Sequence, residues 1–127
     1  MYTVERSTFE SLVAKAVDNL PDIYRQKIDN IAFIVETIPS AEQRVKLELA
    51  NNQTLFGLYE GVPLPLRQGS LKMIPDKITI FQVPIESTVN DLAQLYDSVA
   101  RTIWHEVAHY FGLDHSMIDN LNQKNRN

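Results

Sequence analysis

The chain has 127 residues, 44% of them hydrophobic and 22% charged, with a net charge of −4 and no cysteine. That length and balance suit one soluble domain, residues 1–127, with one modest core. The acidic balance and the thin spread of Lys and Arg argue against a nucleic-acid partner, and the lack of cysteine excludes disulfides and thiolate metal sites.

The start, Met1-Tyr2-Thr3-Val4-Glu5-Arg6, has neither the basic opening nor the apolar run of a signal peptide. No segment reaches the apolar length of a membrane span, so no membrane partner and a cytoplasmic location are the expectation. Ser7 and Glu10 have capping-box spacing, and Phe9, Leu12, Val13, Ala16, Val17 and Leu20 recur at helical spacing. They predict an amphipathic helix over 8–19, broken by Pro21. A short second helix is expected over 21–28. The β-branched, apolar run 31–36 reads as a buried strand.

Ser40 and Gln43 repeat the capping spacing and predict a helix over 40–49, although Val45, Leu47 and Leu49 alternate as a strand would. Asn51-Asn52 marks a turn. Residues 54–59 read as a strand, 61–69 as a loop with Pro63 and Pro65, and 77–83 as a strand closed by Pro84. Thr88 and Asp91 open the longest helix, 89–111, which stops at Gly112. Ser116 is expected to cap a last short helix near 117–124.

All three histidines lie within the run His105-Glu106-Val107-Ala108-His109-Tyr110-Phe111-Gly112-Leu113-Asp114-His115. The pattern H-E-x-x-H-x-x-G-x-x-H is a full set of protein ligands for one catalytic zinc ion. His105 and His109 are four apart, so a helix sets them one turn apart on one face. The apolar stripe of that helix is Leu92, Tyr96, Val99, Ala100, Ile103 and Val107. The histidines fall on the opposite side, above Ser98 and Arg101, where they would face a cleft. Gly112 can take the left-handed conformation that ends a helix and turns the chain back. His115 then arrives as third ligand, with Asp114 as an alternative oxygen ligand or as a partner to a ligand histidine. The fourth position is left for water, and Glu106 stands where a general base can take its proton. Trp104, Phe111 and Met117 read as packing residues, and Arg101 as the ion-pair partner of Asp97 rather than an oxyanion stabiliser.

The chain resembles the minimal zincins, a bacterial family of small zincin-like metallopeptidases. The resemblance covers Phe9-Glu10-Ser11-Leu12-Val13, Leu20-Pro21, the segment Leu55-Phe56-Gly57-Leu58-Tyr59-Glu60-Gly61-Val62-Pro63-Leu64, Ile78-Thr79-Ile80-Phe81, and the histidine motif up to Gly112. It implies an α+β fold, a small mixed sheet packed on helices with a long active-site helix near the C-terminus. It also implies zinc ligands at His105, His109 and the position of His115, with Glu106 as general base. Relatives often carry an acidic residue at that third position. In zincins generally an edge strand holds an extended peptide beside the metal; 54–59 or 77–83 would serve.

The expected function is therefore zinc-dependent hydrolysis of a peptide or protein substrate. A metal-dependent endoribonuclease of the YbeY type shares the histidine spacing and the Gly112-Leu113-Asp114-His115 ending, but it gives no reason for Glu106 or for the acidic charge. A metal-binding module without turnover is the third reading. A domain this small has few residues for specificity pockets, which leaves room for an activating partner.

Overall fold

The computed structural model describes residues 1–49, 55–61 and 75–113. The elements run α1 (Arg6–Asp18), α2 (Asp22–Arg25), β1 (Ile31–Glu36), α3 (Ala41–Lys46), β2 (Gly57–Glu60), β3 (Asp76–Phe81), α4 (Gln82–Glu86) and α5 (Leu92–Tyr110). The fold is the expected α+β arrangement: a small mixed sheet and a long helix late in the chain.

The sheet order is β1-β3-β2, with β1 parallel and β2 antiparallel to β3. As the middle strand, β3 is buried on both faces, and Ile78, Thr79, Ile80 and Phe81 are all inaccessible. One face of the sheet carries the rows Phe33–Ile78–Tyr59 and Val35–Ile80–Gly57. Helices α1 and α5 pack on each other, α5 lies against β2 and β3, and α1 touches β1. The core between them joins Phe9, Val13, Ala16 and Leu20 to Val99, Ile103 and Val107. Burial of this apolar surface is the main driving force for the fold.

Local sequence explains most element ends. Ser40 and Gln43 form the predicted capping box at α3. The same spacing at Ser7 and Glu10 does not form one. Helix α1 begins two residues earlier, after Glu5, and Ser7 already lies inside it. Tertiary anchoring fixes that start. The Arg6 guanidinium donates to Val35 O at 2.8 Å and to the Thr37 hydroxyl at 2.9 Å. The Val4 N–H donates to the buried Glu86 carboxylate at 2.8 Å. The second helix is shorter than expected, only Asp22–Arg25.

Strand β3 also ends earlier than expected. Pro84 does not close a strand but occupies the first turn of α4, where no intrahelical N–H is required. The Thr88 hydroxyl bonds back to Ile85 O, so Asp91 alone caps α5, accepting the Gln94 N–H at 2.8 Å. The expected turn at Asn51-Asn52, the start of the second strand at Thr54, most of the loop 61–69 and the helix near 117–124, with Ser116 and Met117, lie outside the described residues. No described helix is long and apolar enough to cross a membrane.

Helix α5 stops as Gly112 predicts. Gly112 has φ 77°, its N–H reaches His109 O at 2.9 Å, and the Leu113 N–H reaches Ala108 O at 3.0 Å. This pair of bonds is the Schellman closure, which needs a left-handed residue in the position Gly112 holds. Gly112→Ala should lower stability by about 1 kcal/mol in urea titration. An unchanged midpoint would show that the turn does not depend on glycine.

Candidate metal centre

Helix α5 has two buried faces rather than one. Leu95, Val99, Ile103, Val107 and Tyr110 are fully buried in the core, while Leu92, expected in the stripe, is 49% exposed. Ser98, Thr102 and Glu106 form a second row at four-residue spacing, also buried. That row lies under β2. His105 and His109 are half-buried at its margin, with ring centroids 4.8 Å apart.

Gly57 is what allows β2 to come so close. A Cβ there would lie 2.6 Å from Thr102 Cγ2 and 3.2 Å from Glu106 Cγ. Every larger residue would push the strand off the helix. The Phe81 N–H donates to Phe56 O at 2.8 Å, which sets the ladder so that the Tyr59 N–H faces away from β3. That N–H donates to Glu106 Oε1 at 3.0 Å. Tyr59 is anchored at its other end, where its phenol donates to the buried Asp76 carboxylate at 2.6 Å.

Glu106 Oε1 also lies 3.5 Å from His109 Nδ1. The hydrogen bond to Glu106 holds the His109 pKa above its ordinary value of 6.5, opposed by desolvation and reinforced by the carboxylate's charge. In the metal-free protein this pairing therefore stabilises the fold below pH 6.5, and the contribution fades as pH rises through the raised value. A metal ion on His109 would have to displace the same proton, so metal affinity is expected to fall on acidification.

Among the described residues, His105, Glu106 and His109 form a group whose candidate donor atoms lie within 4.8 Å of one another. The two imidazoles are donors that zinc accepts, and a carboxylate beside them suits a cation, so the group fits such an ion. His115 and Asp114, the candidates for a third ligand, lie outside the described residues. Beside the group runs a cleft of about 520 Å³, lined by Leu55, Phe56, Gly57 and the row Ser98, Arg101, Thr102, His105, Glu106. Of the two histidines expected to face a cleft, His105 lines it and His109 is not among its lining residues. Trp104 is buried, with its ring 4.8 Å from that of Tyr24, and Phe111 packs on the same tyrosine at 5.6 Å. Both are packing residues. Arg101 pairs with Asp97 at 3.3 Å and also borders the cleft.

The structure adds Gly57, Tyr59 and Thr102 to the residues that shape the site. The sequence signal for Gly57 and Tyr59 is the Gly57-Leu58-Tyr59-Glu60-Gly61 segment, which is not a generic metalloprotease feature; Thr102 has none.

A small mixed sheet backed by a helix that presents two histidines and a buried glutamate is the architecture of a zincin. Residues 28–124 match the family of zincin-like metallopeptidases, and the chain belongs to that family. None of the curated protein sequences matches it. Among solved structures it is similar to a conserved hypothetical protein from Thermo thermophilus. The TM-score is 0.58 at 15% identity, over 85% of this chain and 94% of the other. At that identity the likeness speaks for the fold alone. The family implies a metal, usually zinc, and a metal-dependent peptidase type of function.

Gly57→Ala should cost about 1–3 kcal/mol of stability through the contact with Thr102, and should speed hydrogen exchange at the Tyr59 amide. Adding Thr102→Ser, which removes the obstructing methyl, should recover part of both. Full stability and slow exchange in the Gly57→Ala protein would show that the close approach is not tight.

Proposed function

We propose that the protein is a zinc-dependent peptidase in which His105, His109 and His115 hold the ion and Glu106 moves the protons. The observation that carries this reading is the placement of Glu106. Its carboxylate is buried, fixed by a main-chain N–H, next to a candidate ligand histidine and at the wall of an open cleft. A purely structural zinc site would have no use for an acid so placed, and such sites are usually closed and rich in cysteine.

Zinc in this donor set would act as a Lewis acid, polarising a peptide carbonyl and making the attacking water more acidic. Glu106 accepts a proton from that water at its carboxylate and returns it to the amine nitrogen that leaves. The Tyr59 N–H keeps the carboxylate in place by holding its Oε1. Of the two strands expected to hold the substrate, β3 is central and β2 is an edge among the described strands. An extended peptide would therefore lie beside the Leu55–Gly57 end of that edge, in the cleft these residues wall opposite α5.

The test is zinc content and peptide cleavage in the wild type and in Glu106→Gln. Zinc stoichiometry should be unchanged and kcat should fall by about 10²–10⁴. A wild type that binds no zinc, or a variant that cleaves as well, would contradict the reading; so would metal-dependent RNA cleavage that survives the substitution. His115→Ala should weaken zinc binding by at least the roughly 10–100-fold typical of lost supporting groups. Unchanged affinity would assign the third ligand to Asp114 or elsewhere.

A further inference from the structure

Beyond the residues that handle the metal and the proton, the cleft carries one strongly polar feature. Its described walls are Leu55, Phe56, Gly57, Ser98 and Thr102, all uncharged, and Arg101 is the one Lys or Arg among its described lining residues. Arg101 precedes His105 by one helical turn, about 6 Å along the axis. An extended peptide advances about 3.3 Å per residue, and alternate side chains point the same way. A side chain one or two residues from the bond being cut would thus reach Arg101.

The Arg101 side chain is half exposed, and its ion pair with Asp97 is 3.3 Å long, between two exposed groups. Such a pair adds little to stability, at most about 1 kcal/mol. A guanidinium has five N–H donors, so one contact with Asp97 leaves most of the fork for another acceptor and helps to orient it. Leu55 and Phe56 supply an apolar wall for the methylene stem of an acidic side chain. Ser98 and Thr102 are small, and the Thr102 hydroxyl already donates to Ser98 O at 2.8 Å, so the floor competes weakly for a polar group.

We propose that Arg101 sets the specificity of the cleft, and that the preferred substrate carries a carboxylate within two residues of the scissile bond. The proposal rests on the peptidase reading for the direction in which the peptide lies. The carboxylate has two possible sources, an acidic side chain or the free C-terminus of the peptide.

The experiment uses zinc-loaded Glu106→Gln protein, chosen to bind substrate without turnover, and calorimetry with unlabelled, N-acetylated alanine–valine hexapeptides. One set carries a glutamate scanned along an amidated peptide, a second carries glutamine instead, and a third has a free C-terminus and no acidic side chain. At low ionic strength the glutamate or the free-carboxylate peptides should bind about three- to tenfold more tightly than the neutral ones. The preference should shrink in salt, vanish in Arg101→Ala and survive in part in Arg101→Lys. Arg25→Ala, outside the cleft lining, should keep it. Preference for the glutamate set alone identifies a side-chain carboxylate; preference for the third set alone identifies the peptide terminus.

Equal binding of acidic and neutral peptides, or a preference that persists in Arg101→Ala, would overturn the proposal. If wild-type protein cleaves peptides without an acidic preference, the Arg101 proposal fails and the peptidase reading stands. If it cleaves none but binds acidic peptides through Arg101, the reverse holds.

Discussion

Tyr59 and Glu106 are 47 residues apart in the chain, yet the amide of one holds the carboxylate of the other at 3.0 Å. This bond ties the outer edge of the sheet to the helix that carries the histidines. It satisfies a strand N–H that β3 cannot reach and a buried carboxylate that would otherwise be costly to desolvate. Gly57 makes the bond possible by letting Thr102 and Glu106 pack where a side chain would stand. Asp76 holds the far end of Tyr59. The geometry of the proposed base is thus set by the strand beside which substrate would lie, so the strand and the base keep a fixed relation.

The rest of the fold keeps that strand and helix in place. Helix α5 presents one face to the core and a second, polar face to β2, and the two faces do different work. Leu95, Val99, Ile103 and Val107 anchor the helix by apolar burial. Ser98 and Thr102 are small enough to leave open the cleft that Leu55 and Phe56 wall on the other side. The N-terminal segment adds a brace, since Arg6 bonds to the end of β1 and Val4 to the buried Glu86. The Schellman turn at Gly112 then directs the chain out of α5 just before the position of the expected third ligand.

Much of this was legible in the residues themselves. The run of β-branched and apolar residues marked β1 to its ends, the Ser40–Gln43 spacing marked the α3 cap, and Gly112 marked the end of α5. The helical spacing placed His105 above Ser98 and Arg101, on the face that borders the cleft. Local patterns failed where a distant contact decided. Ser7 and Glu10 have the spacing of a cap, but Arg6 and Val4 are pinned from elsewhere, and the helix starts before them. Pro84 looked like a strand stop and instead opens α4. A helical stripe drawn from one period missed the second buried face of α5, because that face is buried by β2 rather than by the apolar core. The Tyr59–Glu106 bond has no periodic signature at all; it depends on how two elements far apart in sequence meet.

The central claim is that zinc binds His105 and His109 while Glu106 stays with Tyr59 and outside the ligand set. Zinc titration followed by NMR tests it directly, on the imidazole ring nitrogens and on the Tyr59 amide. The account predicts that both ring signals move to saturation at one equivalent of zinc, while the Tyr59 amide stays protected from exchange. Ring signals that do not respond, or a Tyr59 amide that loses its protection because Glu106 has turned to the metal, would contradict it.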